Sequence, residues 1–367
     1  MRCAVIVGTG LIGTSVALAL RERGVTTYLM DSDPTAARTA AALGAGLAQE
    51  PPEVADIAVL AVPPVRVAPV LADLQKRGTA RFYTDVASVK GLPQREVEAL
   101  GCELTAVVGG HPLAGGERSG PLAARGDLFT GRPWVLVPSE HTSAVALNTA
   151  LELVALCGAT PVLLDGESHD RAVALISHAP HLVASLTAGR LLEGGESALR
   201  LAGQGLRDVT RIAAGSPALW TDILSANPVP VAEVLEALAA DALAAAGALR
   251  RIGRGDTDAA AAMDTLTELL QRGVDGRRAI PGKHGMPDGA LTAVEVSVGD
   301  SPGELARLFA AAAAAGANVE DVGMEHSADQ PTGRARLAVL ESSASALAEA
   351  LGADGWAVRL GDWPGGP

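Results

Sequence analysis

The sequence predicts an α/β protein made of three successive folded parts, and three observations lead to this prediction. From residue 1 to about residue 165, short apolar runs alternate with helical stretches, as in a parallel sheet with crossover helices. From residue 166 to residue 280 the strand pattern stops and apolar residues recur at helical spacing. The last part, residues 290–367, has the order strand, helix, strand, strand, helix, strand. The length of 367 residues agrees with two to three domains of roughly 150 residues each.

The first part, residues 1–165, is predicted to supply seven strands to one sheet. These strands lie at residues 3–7, 27–30, 57–62, 82–84, 104–108, 134–137 and 162–164. Parallel strands need crossover connections, and the helical stretches between the apolar runs provide them. Ligands of such sheets collect at the carboxyl ends of the strands, so motifs at those positions are the candidates for function.

The second part, residues 166–280, is predicted to be all-helical. Its helices are expected at residues 168–190, 206–212, 217–225 and 229–254. Ala-rich helices suit close helix packing, and a helical region beside a nucleotide-binding domain often forms a dimer interface. We therefore hypothesise a homodimer. A stretch rich in Gly, Pro and charge at residues 272–289 indicates a linker, whose boundaries we set at 281–289.

The third part, residues 290–367, is predicted to be a small sheet with two helices. Strands are expected at 291–298, 318–324, 334–340 and 357–360, and helices at 304–315 and 344–351. This order of elements is that of the ferredoxin-like plait.

Composition excludes several classes of protein. With 29 basic and 42 acidic residues the net charge is −13, and aromatic residues make up 2%, which disfavours nucleic acid or an anionic membrane as partner. Three cysteines far apart fit neither a disulfide framework nor a zinc cluster, so a reducing, cytoplasmic setting is expected. The charge-free apolar runs at 153–164 and 308–315 are shorter than the roughly 18–20 residues of a membrane span. The N-terminus has no signal-peptide pattern.

A glycine-rich loop follows the first predicted strand and opens a helix, in the pattern GxGxxG of residues 8–13. Such glycines allow a tight turn and a close approach to a pyrophosphate, and the helix N-terminus presents N–H donors to it. Asp31 ends the next strand, where its carboxylate would accept the ribose hydroxyls and repel the 2′-phosphate of NADP. A Rossmann-type domain that binds NAD is therefore predicted, although Arg38 could offset this preference. The residues expected at the cofactor are Gly8, Gly10, Leu11, Ile12, Gly13 and Asp31.

Two further motifs lie at neighbouring strand ends. Ser88 in DVASVKG can orient an imidazole or a substrate hydroxyl, or it can simply cap the helix that follows. Lys90 in the same motif could supply a positive charge. His111 in GGHPLAGGE lies in a glycine-rich loop, where neutral imidazole can accept a proton near pH 7. The alternative for His111 is a loop histidine bonded to nearby backbone. Because both motifs leave adjacent strands, both side chains can face the nicotinamide crevice.

The helical part carries two polar clusters. His178 and His181, three residues apart, could share a helical face, but no acidic or cysteine ligand has matching spacing, so no metal is predicted. Hydrogen bonding to a ligand or a buried helix histidine is the alternative. Arg207 and Arg211 follow a glycine-rich helix start and could bind a carboxylate, unless Arg211 merely pairs with Asp208 at the surface.

Together these segments resemble the prephenate dehydrogenase family, which includes the arogenate dehydrogenases. The resemblance covers residues 3–230 and rests on the GxGxxG start, DVASVKG, GGHPLAGGERSG, SHDRAVALISHAPH and GLRDVTRIAAGSPALW. It implies that His111 polarises the ring hydroxyl of the substrate with support from Ser88, and that Arg211 binds a substrate carboxylate. It further implies His181 in the substrate pocket, Glu117 and Asp208 as polar gating residues, and Gln204 as a residue that tunes substrate choice.

The tail resembles ACT domains, plaits that often bind amino acids where subunits pair. The resemblance rests on VGDSPGELARL at residues 298–308 and GANVEDV at residues 316–322. It implies an aromatic amino acid as effector, held by the loops that contain Asp300, Gly303, Gly316 and Asn318. The alternative is a tail that only promotes oligomer formation.

The resemblance implies NAD-dependent oxidative decarboxylation of prephenate to 4-hydroxyphenylpyruvate, with arogenate as the alternative substrate. A first rival, a β-hydroxyacid or imine dehydrogenase, often uses a lysine of the helical domain, whereas the lysines here are Lys76, Lys90 and Lys283. A second rival is a non-enzymatic regulator that senses NAD and an amino acid. Ser88, His111 and Arg211 in matching motifs argue against that regulator.

Overall fold

The computed structural model describes residues 1–116, 118–256, 258–280, 291–326 and 332–363. It divides into two compact units, Met1–Leu238 and Ala239–Pro367. Glu117 and residues 281–290, which contain the predicted linker, lie outside the described residues.

The first unit contains a seven-stranded sheet in the order β2-β1-β3-β4-β5-β6-β7. The strands are β1 Cys3–Val7, β2 Thr26–Met30, β3 Ala55–Leu60, β4 Ala80–Asp85, β5 Val107–Pro112, β6 Pro133–Pro138 and β7 Thr160–Leu163. The fifth predicted strand is displaced, because Leu104–Ala106 forms a short 3-10 helix and β5 begins only at Val107. As a result β5 extends to Pro112, and His111 is part of the strand.

The sheet is parallel from β1 to β5, as predicted, but its last two strands run in the opposite direction. Strand β6 pairs antiparallel with β5, and β7 pairs parallel with β6. The physical reason lies in the connection between β5 and β6, where the described helical structure is one 3-10 turn, Pro121–Ala123. Without a crossover helix the chain returns beside β5 in the antiparallel sense.

Helices flank this sheet and then form the remainder of the first unit. They are α1 Leu11–Glu22, α2 Pro34–Ala42, α3 Pro64–Lys76, α4 Gly91–Ala99, α5 Ala144–Leu156, α6 Gly166–Val173, α7 Ala179–Arg190, α8 Gly195–Arg200, α9 Gln204–Thr210, α10 Pro217–Ala226 and α11 Pro228–Arg254. A π-helical turn, Ala174–His178, joins α6 to α7 within the single helix expected at 168–190. The last helix, α11, runs past the boundary between the two units.

Both faces of the large sheet are buried at its central strands, whereas β7 is exposed. Along β1, Ala4 and Ile6 belong to the core that also contains residues of α1 and α5, whereas Val5 belongs to the core under α3. Strands covered on both sides need apolar side chains at every position, which explains why the sequence shows continuous apolar runs instead of alternation. The carboxyl ends of the strands are thereby held at a rigid edge.

The helical stretch Gly166–Glu193 is long and apolar enough to cross a membrane by length and composition alone. Its buried positions include His169, Asp170 and His178. Their polar atoms are hydrogen-bonded inside the chain, as in the core helix of a globular domain.

The second unit contains helix α12, Ala259–Arg278, and a four-stranded antiparallel sheet with two helices. The order along the chain is β8 Leu291–Gly299, α13 Glu304–Ala314, β9 Asp321–His326, β10 Thr332–Leu340, α14 Glu341–Ala353 and β11 Val358–Asp362. The strands are arranged β11-β8-β10-β9. Side chains of β8, α13, β10 and α14 form one buried apolar core, which includes Val294, Leu308, Leu337 and Leu347.

Helix α12 extends into the stretch rich in Gly, Pro and charge at residues 272–289. Residues 272–278 continue the helix to Arg278, and the predicted linker, 281–289, comes after it. The guanidinium of Arg272 donates two hydrogen bonds to the Asp241 carboxylate of α11, at 3.2 and 3.0 Å. Gly273 and Gly276 weaken a helix only modestly, so they do not end it.

Candidate active site

The three glycines of the loop between β1 and α1 have different tasks. Gly8 has a φ of +96°, and a Cβ atom there would lie 2.2 Å from the carbonyl oxygen of Ala61. A Cβ atom on Gly13 would lie 1.9 Å from the carbonyl oxygen of Gly8. At Gly10 a Cβ atom would meet no atom of the described residues within 4 Å. Two glycines therefore fix the turn and the helix packing, and the third leaves space for a phosphate.

The start of α1 offers the donors for that phosphate. Leu11 and Ile12 form its first turn, which contains no acidic side chain, and Gly10 at the N-cap gives no side-chain hydrogen bond. The first N–H groups of a helix have no partner within the helix, and the helix dipole favours an anion there.

Asp31 follows β2 and ties this strand to the glycine loop. Its carboxylate accepts hydrogen bonds from the N–H and the hydroxyl of Thr9, at 2.6 and 2.8 Å, and from the N–H of Asp33 at 2.9 Å. Burial alone would raise the pKa of Asp31, but the hydrogen bonds outweigh it and the pKa lies below its ordinary value. The group is therefore an anion beside the loop.

An open groove of about 990 Å³ leads from the glycine loop past Asp31. Its lining includes Gly8, Met30, Asp31, Ser32, Val62, Pro63, Arg66 and Val70. The apolar wall suits an adenine, the carboxylate suits a ribose, and the glycine at the rim suits a pyrophosphate. The residues present therefore fit NAD.

His111 is the first member of a hydrogen-bonded chain of three side chains. Its Nδ1 lies 2.8 Å from Nε2 of His169, and Nδ1 of His169 lies 2.8 Å from Oδ1 of Asp170. His169 and Asp170 belong to α6, so the chain joins the end of strand β5 to the first helix after the sheet. The SHDR motif was noted in the sequence, but neither residue was assigned a role.

Asp170 is held in place from three directions. Its two carboxylate oxygens accept the N–H groups of Lys90 and Gly91, both at 2.8 Å, and its carbonyl oxygen accepts a hydrogen bond from the Asn227 amide at 2.8 Å. Burial alone would raise the pKa of Asp170, but the hydrogen bond with His169 and the two backbone donors lower it. The carboxylate is therefore charged and fixed.

Lys90, which the sequence suggested could serve a charge, is buried and bonds to groups inside the protein. Its side chain is 2% exposed, and Nζ donates to the Asp85 carboxylate and to the carbonyl oxygen of Gly110. Burial lowers the pKa of Lys90, while the neighbouring Asp85 acts in the opposite direction. The Lys90 side chain thereby joins the end of β4 to β5 at the residue before His111.

Burial keeps His111 neutral. Burial, followed by the charge of Lys90 and then by His169 and His178, holds the pKa of His111 well below 6.5. A neutral imidazole at the carboxyl end of a sheet strand is a proton acceptor.

Two more histidines surround Trp220 of α10. The ring of His181 stacks on Trp220 with centroids 3.6 Å apart, and His178 meets the same indole edge-on at 6.4 Å. Burial lowers the pKa of His178 to about 4, and it lowers that of His181 as well. A Cβ atom on Gly215 would lie 2.5 Å from Nε1 of Trp220. The two histidines do share one face, as the spacing predicted.

The remaining predicted site residues take three kinds of position. Ser88 is partly buried between β4 and α4, and Nδ1 of His111 bonds to His169 rather than to Ser88. Gln204 donates to Asp208 at 2.8 Å across one turn of α9, and Arg211 is exposed directly after that helix. Glu117 lies outside the described residues.

The predicted effector residues lie at the two ends of α13. Gly303, with a φ of +94°, caps its start, and Gly316, with a φ of +71°, follows its end. Asp300 lies in the exposed turn before α13, and the Asn318 amide donates to Glu320 at 2.5 Å. Within the described part of the chain, no three His, Cys, Asp or Glu side chains come together as a metal site would require.

Two family models match the chain in succession. The nucleotide-binding domain of prephenate dehydrogenase matches residues 16–163, and the dimerization domain of the same enzyme matches residues 165–272. A relative from Streptomyces niveus, named "Probable prephenate dehydrogenase NovF", is 51% identical over 358 residues, which cover 97% of this chain and 99% of the relative. The chain belongs to the prephenate dehydrogenase family. Because the alignment with NovF spans almost the whole chain, this relative shares the tail as well.

Solved structures agree with this assignment. Prephenate dehydrogenase from A. aeolicus, in complex with hydroxyphenyl propionate and NAD+, matches with a TM-score of 0.64 at 25% identity and covers 75% of this chain and 98% of its own. Arogenate dehydrogenase from Synechocystis matches with a TM-score of 0.62 at 28% identity and covers 76% and 100%. This prephenate dehydrogenase family member is an NAD-dependent dehydrogenase, and the predicted Rossmann-like sheet, helical region and NAD cofactor are confirmed.

Proposed function

We propose that this enzyme converts prephenate to 4-hydroxyphenylpyruvate, with His111 as the group that accepts the proton of the substrate's ring hydroxyl. The observation that carries the proposal is the neutral imidazole of His111. It lies at the end of β5, the strand that pairs with β4, and its Nδ1 is hydrogen-bonded to His169. When bound, NAD+ accepts a hydride from the carbon that bears the hydroxyl.

The chain's own task is to orient the substrate and to handle one proton. The hydroxyl proton moves to Nε2 of His111 as the carbon–oxygen bond gains double-bond character. The ring carboxylate then leaves as CO2, its electron pair makes the ring aromatic, and the oxygen takes the proton back. No net proton is released, and aromatisation drives the reaction, so orientation and a proton acceptor are the main requirements.

For the substrate we propose roles that follow the family resemblance. Arg211 binds a substrate carboxylate, and His181, stacked on Trp220, lines the substrate pocket. Gln204 and Asp208 are hydrogen-bonded to each other on α9. Gln204 tunes substrate choice, and Asp208 gates access to the pocket. Ser88 supports His111 from the loop after β4. Glu117 is proposed as a second gating residue.

Arogenate is the second candidate substrate, because it differs from prephenate by an amino group in place of a keto group on the side chain. The name of the Synechocystis neighbour is that of an arogenate dehydrogenase, which keeps this candidate open. Comparison of kcat/KM for the two substrates with NAD+ decides between them. A chain that reduces NAD+ with neither substrate would contradict the enzymatic proposal and favour the NAD-sensing regulator.

The role of His111 is tested by the variant His111→Asn. We expect it to fold and bind NAD+, but to lose kcat by on the order of 10²–10⁴-fold, as for a lost general base. Absorbance at 340 nm measures turnover, and NAD+ titration monitors the cofactor site. Near-wild-type turnover would remove His111 from the reaction.

We further propose the domain organisation 1–165, 166–280, 281–289 and 290–367, and a cytoplasmic homodimer formed through the helical region. The bounds of the two family models, 16–163 and 165–272, and the description of the second as a dimerization domain support this organisation. Light scattering at several protein concentrations tests the dimer.

For the tail we propose an ACT-like, ferredoxin-like domain that binds an aromatic amino acid. The chain order βαββαβ and the strand order β11-β8-β10-β9 support it. The loops at Asp300–Gly303 and Gly316–Asn318 then hold the effector beside α13. A tail that only promotes oligomer formation is the alternative.

A further inference from the structure

The two hydrogen bonds behind His111 determine which of its nitrogens carries hydrogen. The Asp170 carboxylate accepts only, so Nδ1 of His169 must carry the hydrogen of their 2.8 Å bond. Neutral His169 then has a bare Nε2, which must accept from Nδ1–H of His111 at 2.8 Å. Nε2 of His111 is left without hydrogen, and it is the nitrogen that can receive a proton from the substrate.

The hydrogen-bonded side chains behind His111 include a second histidine that can carry the positive charge. An imidazolium confined to His111 would lie beside Lys90 in a buried site, which is unfavourable. An imidazolium at His169 would lie in contact with the Asp170 carboxylate, which two backbone N–H groups hold in its charged form. Opposite charges in contact attract more strongly away from water.

We propose, on the basis of the proposed function, that His169 is a second proton acceptor behind His111. As the substrate hydroxyl proton forms a bond to Nε2 of His111, the bond between Nδ1 of His111 and its hydrogen breaks and that hydrogen bonds to Nε2 of His169. Both protons return along the same path when the product oxygen is reprotonated. His169 thus acts through His111, and Asp170 stabilises the transferred charge.

Charged and titratable groups from each adjoining element bear on this chain. Lys90 bonds to Asp85 and to the carbonyl of Gly110, the residue before His111. Asp170 follows His169 on α6, and His178 of the π-helical turn bonds to Asn227 at 3.3 Å. His178 has a pKa of about 4 and is neutral in the working pH range. The charge that favours proton transfer to His169 is therefore that of Asp170.

The test uses His169→Gln in the full-length enzyme. The glutamine carbonyl can accept from Nδ1–H of His111 and its amide can donate to Asp170, so the tautomer of His111 is kept, but an amide takes up no proton. We expect unchanged NAD+ affinity, a loss of kcat/KM of on the order of 10–10²-fold, and an acid limb of the pH profile displaced to lower pH. The acid limb moves because His111 can then no longer pass its Nδ1 proton to residue 169.

The unaltered enzyme provides an independent measurement. The dependence of kcat on the deuterium fraction of the solvent is expected to be curved for wild type, because two protons move, and linear for His169→Gln. His141→Gln, an exposed histidine after β6, is the matched control and should behave as wild type in both assays.

The proposal is overturned by a linear dependence in the wild type, or by wild-type kcat/KM and pH profile in His169→Gln. If His169→Gln is fully active while His169→Leu is inactive, His169 only positions His111 and proton transfer to it is refuted. Failure of the proposed function has a different signature, because the wild-type enzyme would then reduce NAD+ with neither prephenate nor arogenate.

Discussion

At the scale of one residue, we predict that Asp31 sets the choice of cofactor. Its anionic carboxylate lies at the rim of the groove and holds Thr9 in the glycine loop. Asp31→Ala should weaken NAD+ binding and narrow the preference over NADP+, because the repulsion of a 2′-phosphate disappears. Steady-state kinetics with both cofactors measure this. Asp73→Asn, which neutralises another carboxylate of the same groove, should leave the preference unchanged; an unchanged preference in Asp31→Ala would refute the role.

Arg211 is expected to act on substrate rather than cofactor. It is exposed after α9, close in sequence to the bonded pair of Gln204 and Asp208. Arg211→Ala should lower kcat/KM by roughly 30- to 1000-fold through a lost guanidinium–carboxylate pair, with NAD+ affinity maintained. Arg200→Ala, which removes an exposed arginine of α8, is the matched control. Loss of NAD+ affinity with an unchanged substrate KM would show that Arg211 is wrongly placed.

At the scale of the element, we expect substitutions of two glycines in one loop to have different effects, one on stability and the other on NAD+ affinity. Gly13→Ala brings a Cβ atom to 1.9 Å from the Gly8 carbonyl and must displace α1 from β1, so we expect a loss of stability of more than about 2 kcal/mol. Gly10→Ala meets open space and should fold normally, yet bind NAD+ at least about tenfold more weakly because the methyl group occupies the phosphate position. Urea unfolding and NAD+ titration of both variants separate the two effects. Equal NAD+ affinity in Gly10→Ala and wild type would place the pyrophosphate elsewhere.

At the scale of the whole molecule, we expect the tail to regulate activity without contributing to catalysis. An effector changes catalysis only when it favours one arrangement over another, a coupling of typically ~1–3 kcal/mol. A chain that ends at residue 280 should therefore keep its kcat and lose its response to tyrosine, phenylalanine and tryptophan. Initial rates with and without each amino acid measure the response. Inhibition that survives truncation and is not competitive with substrate would contradict a sensor in the tail.

Much of the architecture follows from local sequence. The period of apolar residues predicted the strands and helices, because a strand buried on both faces and an amphipathic helix impose different spacings on their apolar residues. The glycine loop with Asp31 was predictable for a similar reason: Gly8 is the residue directly after β1 and Asp31 the residue directly after β2. Where local preference was ambiguous, as at residues 272–278, the folded chain continues the helix to Arg278.

By itself, therefore, the sequence determined the class of fold, NAD as the cofactor and His111 as a candidate, since each depends on residues close together in the chain. The tertiary structure alone decided the direction of β6 and β7, the burial of Lys90 with Asp85, and the partner of His111. His111 and His169 lie 58 positions apart, and no local pattern relates them. Their contact exists because α6 packs its buried side against the edge where β5 ends, and such packing is a property of the folded chain as a whole.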